Sequence, residues 1–102
     1  MRLYHLKDKP AVADAVVGFV KLAPGAVFPE HTHQGDEAAL VLQGSCIESG
    51  GRVARRGDLV TMAQGSTHEL TALPGPDFIY VAVAHRGFEM FGELIGPGDP
   101  RA

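Results

Sequence analysis

The chain has 102 residues, 45% of them hydrophobic and 21% charged, which suits one small globular domain and excludes a disordered chain or a second core. A formal charge of -3 argues against a broad basic face, so no nucleic-acid partner is expected. No window holds the roughly 18 apolar residues a membrane span needs, and Met1 to Lys7 lacks the apolar stretch of a secretory signal, so no membrane partner is expected either.

Thirteen glycines and seven prolines cut the chain into short pieces. Ala11 to Ala15 alone has helical character, and Pro10 with the valines that follow limits it to a turn. Val16 to Leu22, Ala38 to Gln43, Leu59 to Ala63 and Phe78 to Ala84 are apolar, β-branched runs of strand length. Between them lie turn residues: Pro24-Gly25, Gln34-Gly35-Asp36, Ser49-Gly50-Gly51, Arg56-Gly57-Asp58, Gln64-Gly65-Ser66 and Pro74-Gly75-Pro76-Asp77. The single cysteine, Cys46, has no partner for an internal disulfide, which fits a reducing cytoplasm, and it reads as an inert buried thiol. Arg52, Arg55 and Arg56 read as a solvated hairpin tip. Short strands at fairly even intervals predict an all-β sandwich or barrel. Residues 1–92 form the single domain and 93–102 a Pro/Gly-rich tail.

In Phe78 to Ala84 neither parity is polar, so that strand needs cover on both faces. A chain this short has little left to supply it, and a homodimer is expected. The alternative is that residues 2–22 cover the face within one chain.

The informative stretch runs from Gly25 to Glu37. His31 and His33 are two apart, so both imidazoles leave the same face of an extended strand, and two such rings can converge on one metal ion. Glu37 follows the Gln34-Gly35-Asp36 turn and can swing back toward them; His68 comes just after the Gly65 turn. Glu37 shares its parity with Ala39, Val41 and Gln43, and His68 shares its own with Leu70 and Ala72. On such apolar faces an unpaired carboxylate costs several kcal/mol, a penalty that a divalent cation removes. Three imidazoles and one carboxylate suit Fe, Mn, Co, Ni, Cu or Zn rather than Ca or Mg.

The glycine framework around these residues resembles the cupin superfamily. Its first motif is a glycine, five residues, His-x-His, three or four residues, Glu, six residues and a glycine; Gly25, His31, His33, Glu37 and Gly44 meet every spacing. Gly57, Gly65 and His68 fit the second motif, with Ala63 in place of its proline and Ala72 in place of its asparagine. The resemblance implies a small antiparallel β-barrel of jelly-roll type with His31, His33, Glu37 and His68 as metal ligands. Ala72 at the asparagine position implies a less polar pocket, which counts against a heavily hydrogen-bonded sugar substrate. Glu37 to Gly44 and Gly57 to His68 are similar to the cupin domain of ChrR-type anti-sigma factors. In those proteins a separate helical zinc domain grips the sigma factor. These 102 residues leave no room for one, so no sigma-factor partner is expected.

Gln43 and Tyr80 are further candidates for lining the pocket, together with Ala72. His5 and His85 match no ligand spacing and read as surface or interface residues; Met62 and Met90 read as core fillers. Two functions follow. The first is a stand-alone metal-binding or sensing module, since three imidazoles and a carboxylate close a tetrahedral zinc site. The second is a small metal-dependent enzyme, a dioxygenase or isomerase acting on a small organic ligand, since iron, manganese or nickel would keep two octahedral positions open.

Overall fold

The computed structural model describes residues 2–5, 15–90 and 93–95. Their strands run β1 (Arg2–His5), β2 (Ala15–Leu22), β3 (Val27–His33), β4 (Glu37–Gln43), β5 (Ser45–Glu48), β6 (Val53–Arg55), β7 (Leu59–Met62), β8 (Thr67–Ala72), β9 (Phe78–His85), β10 (Phe88–Met90) and β11 (Glu93–Ile95). One sheet has the order β1-β2-β9-β4-β7 and the other β11-β10-β3-β8-β5-β6. The described pairings are all antiparallel, and the two sheets form the expected jelly roll.

Alternation along the strands builds the interior. Val20 and Leu22 of β2, Val41 of β4, and Phe78, Tyr80 and Ala84 of β9 turn inward from the first sheet. Phe28, Cys46, Ala54, Leu70 and Ala72 meet them from the second. Fully burying a side chain such as Phe78 or Leu22 contributes about 1.5–3 kcal/mol relative to leaving it exposed.

Two irregularities re-aim side chains. In β3 the pairing with β8 runs Phe28↔Leu70 and then His31↔His68, so the stretch holding Pro29 and Glu30 carries one extra residue. Phe28 and His31, of opposite parity, are therefore both buried. In β4 the pairing with β9 shifts between Val41 and Gln43. Close backbone approach fixes the crossing from β4 to β5: Gly44 has φ 72°, and a Cβ there would lie 2.8 Å from the Asp77 carbonyl oxygen.

The backbone bears on three expectations. Ala15 is the first residue of β2 rather than part of a helical turn; residues 11–14 lie outside the described residues. Glu93–Ile95, placed in the tail by the sequence, is β11 and pairs with β10, and residues 96–102 lie outside the described residues. Residues 6–14 lie outside the described residues, and the described strands of residues 2–22, β1 and β2, do not lie across the outer face of β9. They lengthen its sheet, β2 pairing along the whole of β9 from Leu22↔Phe78 to Ala15↔His85.

Candidate metal centre

At one end of the interior the strand faces turn polar. His31 and His68 are direct cross-strand partners on β3 and β8, and His33 lies two residues further along β3. Glu37 opens β4 on the opposite sheet. One donor atom from each of His31, His33, Glu37 and His68 lies within 4.8 Å of the other three. Ligand bonds of about 2.1 Å place two donors of one ion up to about 4.2 Å apart. The group is thus close to the size of one coordination sphere. The three ring centroids stand 4.5–4.9 Å apart, and Phe28 packs against His31 at 4.4 Å.

The hydrogen bonds fix which nitrogen of each ring faces inward. His31 Nδ1–H donates to the Pro29 carbonyl at 2.9 Å. His33 Nδ1–H donates to the Ser66 carbonyl at 3.1 Å, with the Ser66 hydroxyl at the same distance. His68 Nδ1–H donates to Glu48 Oε2 at 3.3 Å. Each of these three partners, carbonyl or carboxylate, can only accept. In the neutral rings the Nε2 atoms are therefore lone-pair donors. His31 Nε2 and His68 Nε2 face one another at 2.9 Å. His33 Nε2 is buried and meets Glu37 Oε2 in an ion-pair contact without completing a hydrogen bond. Three lone pairs and a carboxylate converging in a buried space repel one another unless a proton or a cation stands between them. The donor set thus fits a transition metal.

Titration follows the same geometry. Burial lowers the His31 pKa to about 4, and although the Pro29 bond raises it, His68 and His33 lower it further. Burial also lowers His68, against the raising effect of Glu48. For His33 burial lowers the value, but the Glu37 carboxylate raises it more, and the net shift is upward.

A cavity of about 30 Å³ adjoins the donors, walled by Val41, Leu70, Phe78 and Tyr80 and by the polar groups of Glu37, Glu48, Arg52 and His68. Beyond Glu37 and Met62, which border both spaces, an open groove of about 370 Å³ is lined by Asp36, Thr61 and His85 among others. Tyr80 lines the cavity, and burial, then the Glu37 charge, pushes its phenol well above the ordinary value of 10. Burial likewise pushes the Cys46 thiol up, in keeping with an inert buried cysteine. Ala72 is buried, but it pairs with Cys46 at the apolar end and is not among the cavity's lining residues. Gln43 does not line the cavity: the β4 irregularity turns it to the surface, where its amide donates to the Asp77 carbonyl at 3.0 Å. His85 is exposed; His5 and Met90 have no described side chains. Met62 is half-buried at the cavity wall.

Residue-by-residue reading of the sequence missed three supports. Pro29 and Ser66 act through backbone carbonyls, which leave no side-chain signature. Glu48 did leave one, because it shares the inward parity of Cys46 on β5. Arg55 and Arg56 are exposed as a hairpin tip would be, but Arg52 bonds Glu48 Oε2 at 3.2 Å and sits 2.8 Å from the Met62 sulfur.

Comparison with known proteins bears on this arrangement. The ChrR Cupin-like domain family matches residues 3–87. No curated protein matches the chain. A chain from the crystal structure of Rhodobacter sphaeroides SigE in complex with the anti-sigma ChrR is 29% identical, with a TM-score of 0.67 over 74% of this chain and 41% of that one. This chain therefore spans about two fifths of that relative. A cupin-like protein from Thermotoga maritima is 23% identical, with a TM-score of 0.74 over 89% of this chain and 75% of that one. A cupin-superfamily sugar phosphate isomerase from Silicibacter pomeroyi is 23% identical, with a TM-score of 0.69, covering 82% and 58%. These last two likenesses show the fold alone. Among the described residues no helix is long and apolar enough to cross a membrane.

Proposed function

This chain belongs to the ChrR Cupin-like domain family, and from that premise we propose that it is a metal-binding module in which His31, His33, Glu37 and His68 hold one divalent transition metal. The observation that carries the proposal is the shared direction of the Nε2 atoms. Each imidazole is tethered outward through Nδ1, leaving three inward lone pairs beside a carboxylate. A bound ion would supply positive charge and Lewis acidity. The chain's own part is to hold the donors, keep His31 and His68 unprotonated at neutral pH, and wall off one side with apolar residues.

A sensing or structural role is favoured over catalysis by the cavity. At about 30 Å³ it has room for one or two waters. The enzyme reading draws on the open groove beyond Glu37 and Met62, which would admit a small ligand if Met62 turned aside. Zinc suits the first reading; iron, manganese or nickel suits the second. A sigma-factor partner is not carried over to this chain, and the buried free thiol of Cys46 suits the cytoplasm.

Metal quantification on the purified chain is expected to find roughly one transition-metal ion per chain, and His31→Ala or His68→Ala is expected to remove most of it. Wild-type protein that stays substoichiometric after reconstitution overturns the reading.

Support for a homodimer comes from the outer face of the first sheet. The row Phe19, Val81, Leu40, Leu59 crosses β2, β9, β4 and β7 through successive pairings, and Leu59 is 68% exposed. A contiguous apolar row of this kind marks an interaction surface, and a second copy of the same face would cover it. Sedimentation of the wild type should give a dimer and Leu59→Lys a monomer with unchanged metal content; a monomeric wild type overturns the proposal.

A further inference from the structure

We propose that Glu48 is the positioning residue of the metal centre, holding His68 through its Nδ1–H while Arg52 holds Glu48. The inference rests on reading the four donors as a metal site, and goes beyond it by assigning the support that sets the direction of one ligand. Glu48 Oε2 lies 3.3 Å from His68 Nδ1 and 3.2 Å from an Arg52 guanidinium nitrogen, so one oxygen receives both. His31 and His33 are each held by a backbone carbonyl, His33 with the Ser66 hydroxyl beside it, and a carbonyl moves only with the backbone. His68 is held by a side chain, and its direction depends on what anchors that side chain.

The turn after β5 is constructed to supply that anchor. Glu48 and Arg52 bracket it: Glu48 N–H donates to the Arg52 carbonyl at 2.9 Å, and Gly51 N–H donates to the Glu48 carbonyl at 2.8 Å. Gly51, at φ 93°, supplies the left-handed step that closes the turn. Ser49 clasps the residue next to His68 from both directions. Its N–H donates to the Glu69 carbonyl at 2.9 Å, and its hydroxyl accepts the Glu69 N–H at 3.1 Å. The Glu48 carboxylate is thus fixed relative to β8 at the ligand itself. Arg52 also reaches Met62 on the edge of the other sheet, which ties the carboxylate's partner across the seam between the sheets. A carboxylate accepting from the outer nitrogen of a metal-bound imidazole orients the ring and raises its basicity, and its loss typically weakens metal binding 10–100-fold.

The test uses the full chain and Co(II) as probe. Affinity is read by competition with a chromophoric chelator, and ligand direction by the d–d absorption bands. Glu48→Ala should weaken Co(II) about 10-fold or more and shift the bands. Glu48→Gln keeps an acceptor oxygen and should recover part of both, while Arg52→Met should give a smaller shift in the same direction. A folded Glu48→Ala with wild-type affinity and bands overturns the proposal. Should that variant fail to fold, Glu48→Gln and Arg52→Met decide: bands indistinguishable from wild type in both overturn it, and shifted bands uphold it. His68→Ala keeps the two ideas apart. If it binds Co(II) as tightly as wild type, the metal-centre reading fails; if it loses the ion while Glu48→Ala keeps wild-type affinity and bands, only the positioning role fails.

Discussion

The two ends of one interior are built from the same strands and held together by different physics. At one end Leu22 pairs with Phe78 and Cys46 with Ala72, and contact among apolar side chains suffices. At the other, the same β3, β4 and β8 present His31, His33, Glu37 and His68, whose lone pairs and charge oppose close approach. The apolar end is stable by burial alone, whereas the polar end needs a proton or an ion to complete it. On the proposed reading, stability and metal binding are separable along a single strand.

The largest test of that separation is removal of the metal. With free ion at about 1,000 times its Kd, binding stabilises the native state by about 4 kcal/mol. Chelation should accordingly lower the melting temperature of the wild type and leave that of His68→Ala unmoved. Next comes the apolar end: Leu22→Ala removes a fully buried side chain and should cost about 3 kcal/mol in urea unfolding. Metal bound per folded chain should not change, and if it fell with stability the two ends would be one unit.

The smallest effect falls at the boundary, at Tyr80. Its native pKa lies above the ordinary 10. Between pH 10 and that higher value the folded chain keeps a proton that the unfolded chain has lost. Stability should fall there as pH rises, by at most about 1.4 kcal/mol per pH unit, and show no contribution from Tyr80 below pH 10. Absorbance titration of the native chain should show Tyr80 ionising only as unfolding begins; Tyr80→Phe should flatten the slope.

The donor set was legible in the sequence because it depends on spacing within strands, and alternation is the most regular property a strand has. His31 and His33 share a face whatever happens upstream of them. Gln43 was misplaced for the converse reason: parity counted from Glu37 fails across the shift after Val41, and nothing in Val41-Leu42-Gln43 announces it. Ala72 was read as inward, and it is buried, but parity gives a face and not a distance along it. The outward cover of β9 was likewise beyond reach. Apolar composition shows that β2 is a strand, but not whether it lies beside β9 or across it. Glu48 was legible and overlooked, because a lone carboxylate near a turn looks solvated until its partner strand is known.

The spread of the donors along the chain has a consequence for how the site comes into being. Three of them sit within residues 31–37, while His68 stands 37 positions from His31. Bringing it home costs loop entropy on the order of 3 kcal/mol, and the pairs Val27↔Thr71 and Phe28↔Leu70 already bring β3 and β8 together with no help from an ion. Folding should therefore precede capture. The choice among competing ions would then be made by a finished cage after synthesis, not by a growing loop as it leaves the ribosome.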